Sequence, residues 1–292
     1  AQTDIDAIML EKNAFCIGPM YTYSTWKYYW EGTNKRENLN FGNVNTQVYS
    51  VMGNYGVSQK LNLLFNVPYV RTKASAGQLR GQSGMQDLSL MVKYRPINKK
   101  IGYARLAVYG MLGASVPLGN YNADMLPLSI GVRSTTAQAR MMVDYYLQDK
   151  WFATASGTYV RRSNITLDRN SYYTDELILS NKVYMPDVTT FNIRAGYRTF
   201  WLIAEAVLNN MATQGGFDIT RNNMPFPSNR MNATTLGTNF KYVFKKMPQL
   251  SLTGGANRVI AGRNIGQSFT VNGGVFYVLN LNKKVKKEET KQ

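Results

Sequence analysis

Charged side chains set within alternating apolar and polar residues are the chemistry-bearing positions of this sequence. Eight are cations (Lys60, Lys93, Arg95, Arg105, Arg140, Arg194, Arg198 and Lys241) and three are acids (Asp87, Asp144 and Glu205). Such a set could line a confined aqueous path, where low-dielectric walls strengthen the field and an excess of cations attracts anions. It could equally pair across a narrow interior and lock it shut. The sequence leaves both readings open. Asp87 is the sharpest single position. Alternation turns it inward, with Lys93 and Arg95 on the same face as its expected partners, either as a solute or ion contact or as a charge balanced within the wall.

Much other chemistry is excluded. The chain has no His and a single Cys, Cys16. A Ser-His or Cys-His nucleophile, a His metal ligand and an intrachain disulfide are therefore impossible. No catalytic, cofactor-binding or metal-binding residue is assigned, and an enzyme is not expected. Cys16 reads as a small apolar filler, and the 14 Met as packing and lipid-facing fillers. The loop acids Asp168, Asp175 and Glu176 lack the spacing of a calcium loop. Gly254-Gly255-Ala256 sits in a strand pattern with no helix after it, so it is not a phosphate cradle. The net charge of +17 raises the question of nucleic acid. The basic residues alternate with apolar ones instead of forming one stripe, which argues against that partner.

The elements that carry these charges alternate with period two over long runs. Leu61, Leu63, Phe65, Val67 and Tyr69 share one face, and Lys60, Asn62, Leu64 and Asn66 the other. Leu88, Leu90, Val92 and Tyr94 oppose Asp87, Ser89, Met91, Lys93 and Arg95. Runs of about ten residues match a tilted strand crossing a bilayer rather than a globular strand of about five to six. Twelve strands are expected, at 19–31, 43–54, 57–71, 85–95, 102–117, 132–147, 151–162, 187–199, 200–212, 231–246, 249–262 and 266–281. Short connections such as Asn54-Tyr55-Gly56, Pro96–Lys100, Gln148-Asp149-Lys150 and Lys245–Gln249 alternate with long ones near 32–42, 72–84, 118–131, 163–186 and 213–230. That is the pattern of an all-β, up-and-down antiparallel transmembrane barrel with short periplasmic turns and longer extracellular loops. The mean hydropathy of −0.30 is what alternation produces. Tyr and Trp gather near strand ends, as at a membrane interface.

The stretches Tyr29-Trp30-Glu31-Gly32-Thr33-Asn34-Lys35-Arg36, Tyr55-Gly56-Val57, Pro68-Tyr69-Val70 and Gly84-Met85-Gln86-Asp87-Leu88-Ser89-Leu90, with Lys93-Tyr94-Arg95, carry a resemblance. The sequence resembles a family of Bacteroidetes outer-membrane barrel transporters, similar to the phenol meta-pathway barrel group. The resemblance implies a Gram-negative outer-membrane location and passive transport. The expected organisation is an N-terminal periplasmic or plug segment at 1–18, a barrel at 19–282 and a basic periplasmic tail at 283–292. The opening Ala-Gln-Thr-Asp reads as a mature exported chain after removal of a signal peptide. The expected function is passage of small solutes, anionic or aromatic, through a narrow basic lumen. The alternative is a non-conducting accessory barrel within a larger envelope complex. Expected partners are outer-membrane lipid, a small solute and other outer-membrane proteins.

Overall fold

The computed structural model describes residue 3, residues 5–219 and residues 225–281, so the tail expected at 283–292 lies outside the described residues. Twelve long strands dominate: β1 (Ala14–Trp26), β2 (Val44–Ser58), β3 (Leu61–Ala74), β4 (Asp87–Ile101), β5 (Ala104–Pro117), β6 (Thr136–Leu147), β7 (Trp151–Arg162), β8 (Val188–Arg198), β9 (Leu202–Thr213), β10 (Asn232–Phe244), β11 (Met247–Arg263) and β12 (Phe269–Asn280). Each pairs antiparallel with its sequence neighbour, and β1 pairs with both β2 and β12, which closes the sheet into a barrel. Closure leaves no strand edge, so every ladder group can be satisfied within lipid.

Alternation sets which face is which. In β7, Phe152, Thr154, Ser156 and Thr158 point inward, while Trp151, Ala153, Ala155 and Tyr159 point outward. Leu63, Leu90, Leu112, Met141, Phe191, Ile193 and Leu236 are exposed on the outer surface. A contiguous apolar band of this kind is stable only against hydrocarbon. Among the described residues, no helix is long and apolar enough to cross a membrane.

Three boundaries differ from expectation, each for a physical reason. The first strand covers Ala14–Trp26, not 19–31, so residues 14–18 belong to the wall. Tyr28–Glu31 instead pairs with Asn34–Glu37 around Gly32, at φ +56°, as a hairpin outside the barrel. Its aromatic spacing simply continues the strand rhythm past the membrane. Asn54-Tyr55-Gly56 is not a turn but part of β2. Gly56 is needed because a Cβ there would lie 2.0 Å from the Glu11 carbonyl oxygen. Pro96 lies inside β4, at a register shift between Tyr94 and Ile97, where its missing N–H breaks no ladder bond. The real turns are at Gln59-Lys60 and Gly102-Tyr103.

The two ends of the barrel are unlike. One carries short turns and the chain start. At the other, the long loops pack a small apolar core of their own from Ala123, Ile165, Leu167, Tyr172, Val183, Met185 and Phe226.

Candidate functional site

The described N-terminal residues before β1 run inside the barrel against β3–β6. Ala7 packs on Leu64, Met91, Ala107, Tyr109, Met111 and Met142, with Met9 beside them. Asn13, at φ +60°, turns the chain into β1 and donates its backbone N–H to Gly56 O at 2.7 Å. Lys93 holds the segment. Its ammonium is fully buried and donates to Thr3 O (2.9 Å), Asp6 O (2.8 Å) and Asp6 Oδ1 (3.4 Å). The Tyr109 hydroxyl donates to Ala7 O at 2.8 Å. A buried ammonium is tolerated only with this density of acceptors. Cys16 is buried with Leu10, Ala14 and Phe276, as a small filler.

Two further ion pairs bridge the wall. Asp144 on β6 accepts from Arg198 Nη1 (2.9 Å) and Nη2 (3.0 Å) on β8, and from Thr154 Oγ1 (2.6 Å) on β7. The Arg198 guanidinium lies 3.8 Å from the centre of the Phe152 ring. Glu205 on β9 accepts from Arg194 Nη1 on β8 (2.8 Å) and Asn239 Nδ2 on β10 (3.0 Å). The Arg194 Nε donates to Asn192 Oδ1 at 2.9 Å. The planar two-point Arg198–Asp144 pair spans β7 to tie β6 to β8, and the one-point Arg194–Glu205 contact ties adjacent β8 and β9.

The remaining expected residues divide. Arg95, Arg105, Arg140 and Lys241 lie on the inner face. Arg140 Nε donates to Thr158 Oγ1 (2.7 Å). Arg95 Nη2 donates to Gln59 O (3.0 Å), while its buried Nε has no hydrogen-bond partner among the described residues. Arg105 and Asp149 approach to 3.7 Å near the short-turn end, both well exposed, and such a pair contributes little. Lys60 does not line the lumen. It sits exposed in the turn between β2 and β3. Asp87 is inward, but its expected partners are wrong. Lys93 and Arg95 are six and eight residues further down the same strand, roughly 20 Å or more away. Asp87 Oδ1 instead accepts from the Tyr121 hydroxyl (2.8 Å) in the long loop after β5. Burial, with Asp87 beside it, pushes the Tyr121 hydroxyl well above its ordinary range.

A small cavity of about 130 Å³ borders Leu64, Met91 and Gln138 on the β3–β6 side of the segment, and the larger open space lies on the other side. A cavity of about 440 Å³ is lined by Ile5, Asp6 and Ile8 on one side and by β8–β12 on the other. Its wall carries one amide after another: Asn192, Asn209, Asn239, Asn257 and Asn272, from five successive strands, with Thr235, Thr238 and Thr253. A second cavity, about 550 Å³, occupies the short-turn end and is lined by Arg95, Arg105, Tyr146, Arg198 and Asp144, with Glu11 from the segment. Ile8, Ile203 and Lys241 border both cavities. Charge and spacing alone do not single out Asp6, Tyr109 or the amide wall. Asp6 precedes every strand, so alternation says nothing of it. The amides are inward polar positions that alternation does mark. No cluster of three acids or thiols able to hold a metal occurs among the described residues.

Solved structures share this architecture. The outer membrane channel from Pseudomonas putida F1 superposes with a TM-score of 0.76 at 17% identity, over 95% of this chain and 99% of that one. The translocator domain of the autotransporter NalP from Neisseria meningitidis does so with a TM-score of 0.50 at 10% identity, over 92% and 90%. No curated protein matches the chain. A family model, described as "Putative MetA-pathway of phenol degradation", matches residues 38–273, most of the barrel, and the chain belongs to that family.

Proposed function

We propose that the protein is a passive outer-membrane channel for small solutes, which pass the N-terminal segment on its β8–β12 side and cross the short-turn vestibule. One observation carries the reading. The cavities of about 440 and 550 Å³ meet where Ile8, Ile203 and Lys241 border both; the first is walled by β8–β12, and the second spans the short-turn end, reaching Arg95, Ala107, Tyr109 and Asp144 on β4–β6. The resemblance of fold to the Pseudomonas putida F1 channel, and the family description's reference to phenol degradation, support a small-solute role with aromatic compounds among the candidates.

The basic character belongs to the short-turn vestibule more than to the whole lumen. Lys93, Arg194 and Arg198 are matched by Asp6, Glu205 and Asp144. Among the described residues lining the lower cavity, Arg95, Arg105, Arg198 and Lys241 face Asp144 and Glu11, with Asp149 beside Arg105 in the exposed turn. This excess favours anions at that mouth. Planar-bilayer recording of the pure protein in a salt gradient tests both parts. The reading expects conductance with anion preference, reduced when Arg95, Arg105 and Lys241 are changed to Gln. A cation-preferring wild type refutes the basic vestibule. Absence of conductance refutes the channel and favours the accessory-barrel alternative, for which the Lys93-anchored segment is the supporting observation.

A further inference from the structure

We propose that the outer wall of β1–β3, at the long-loop end, binds a phosphorylated glycolipid of the adjoining membrane leaflet. Tyr21, Tyr49 and Tyr69 are direct cross-strand partners and form one rung of exposed tyrosines. The Tyr21 and Tyr49 rings lie 5.1 Å apart. A tyrosine rung on a lipid-facing wall marks the headgroup level, because each ring is apolar with a polar tip. Toward the loops the next rung is Tyr23, Gln47 and Arg71, followed by Thr25, Asn45 and Lys73. Arg71 and Lys73 are exposed and alternate with the buried Val70 and Thr72, so they share the outward face with Tyr69. Two cations about 7 Å apart along one strand thus stand where lipid phosphates lie.

The last rung continues through Phe269 to Arg258 on β11. Neither Arg71, Lys73 nor Arg258 has a carboxylate within ion-pairing distance among the described residues, and the rungs between them contain no acid. Lys27, at the edge of this face, is by contrast paired with Glu37 at 2.6 Å. Between the two cationic edges lies a neutral hydrogen-bonding floor. The Tyr23 hydroxyl donates to Asn45 Oδ1 (2.9 Å), and Gln47 Nε2 to the Tyr21 hydroxyl (3.3 Å). A groove lined by Thr25, Trp26, Arg258 and Phe269 opens beside it. Lys73 and Arg258 are four strand spacings apart, about 19 Å, a span their long side chains shorten from both ends. A headgroup with phosphates at both ends of a hydroxylated centre matches two cationic edges around a neutral floor. A lipid with one phosphate uses only one edge.

The test uses the full chain in detergent, incubated in turn with bis-phosphorylated lipid A, lipid A stripped of both phosphates, and phosphatidylglycerol. Retained lipid is counted by native mass spectrometry. The wild type should keep bis-phosphorylated lipid A in preference to the other two. R71Q, K73Q and R258Q should each weaken retention roughly five-fold. Heat-modifiable migration confirms that each variant is folded, and the single variants serve if a combination does not fold. Equal retention of the dephosphorylated glycolipid or of phosphatidylglycerol overturns the proposal, as does wild-type retention by the three variants. Conductance plays no part in this readout, so its outcome is separate from that of the channel reading.

Discussion

Across the lumen, β3–β6 and β8–β12 share strand length, pleat and an apolar outer face, but their inward faces differ in kind. On β3–β6 the inward residues Leu64, Met91, Met111 and Met142, with Tyr109, are buried beneath the N-terminal segment. On β8–β12 the inward residues are mainly Asn and Thr, with Ile203, Val207 and Lys241, around an Arg194–Glu205 pair, and space remains in front of them. An inward position therefore need not be wet. Where an inserted segment supplies apolar partners, an inner wall can be a dry core. The upper cavity opens where the inner side chains are largely Asn and Thr, and the vestibule at the short-turn end where they are largely charged.

The largest effect that would break this contrast is loss of the segment from the dry side. Lys93→Ala removes the ammonium shared by the Thr3, Asp6 and Ile8 carbonyls and the Asp6 carboxylate, and takes from that acid the cation it pairs with. Breaking a buried pair on one side costs about 3–5 kcal/mol, which should undock the segment. Limited proteolysis in detergent should then cleave before β1 in the variant and not in the wild type. Equal protection would mean that Lys93 does not hold the segment.

Next in size is the difference between the lipid and lumen faces of a single strand on the wet side. Leu208 faces lipid and its neighbour Asn209 lines the cavity. Leu208→Arg should cost about 2–4 kcal/mol near the midplane, measured by denaturant titration in lipid vesicles, whereas Asn209→Arg should cost far less. Similar costs would show that the faces are misassigned.

A smaller effect is expected at the junction of the cavities. Ile203→Ala should raise single-channel conductance modestly, because the side chain borders both volumes. Leu64→Ala, on the dry side, should leave conductance unchanged. The reverse result would move the path to the other wall.

The smallest effect concerns the loops. Asp218 accepts from Arg263 Nε (2.8 Å) and from Asn264 Nδ2 (2.6 Å), and the Arg263 hydrogen bond, ahead of the other causes, holds its carboxyl at about 2. A depressed carboxyl pKa stabilises the fold above its unfolded value of roughly 3.9 and ceases to do so as pH falls through the folded value. Protection of the 214–219 loop against hydrogen exchange, corrected for the intrinsic rate at each pH, should thus be unchanged from pH 7 to 5 and fall below pH 3. D218N should remove that dependence.

Much of this was legible in the sequence. Twelve strands, the end with long loops and the inward set on β4, β6, β8 and β9 follow from period two, because a lipid-facing wall leaves alternation undiluted. What alternation cannot see is what touches the wall from inside. Gly56 looks like a turn residue until Glu11 is found against it, and Pro96 looks like a break because a bulge leaves no trace in sequence. Lys60 kept the rhythm of β3 while lying in its turn. Lys93 was legible as inward, but its partner Asp6 lies outside any periodic segment. Met91, Met111 and Met142 read as fillers, and only the docked segment distinguishes a filler on the dry core from one facing lipid.

The central claim, that solutes pass the N-terminal segment on its β8–β12 side and not between it and β3–β6, has a direct test. In a Cys16→Ala background, Asn257→Cys and Met111→Cys are compared by single-channel recording before and after a charged thiosulfonate reagent. The account predicts that modification reduces current through the Asn257→Cys protein and leaves the Met111→Cys protein unchanged. Block at Met111→Cys with none at Asn257→Cys, or a wild type that passes no current, would contradict it.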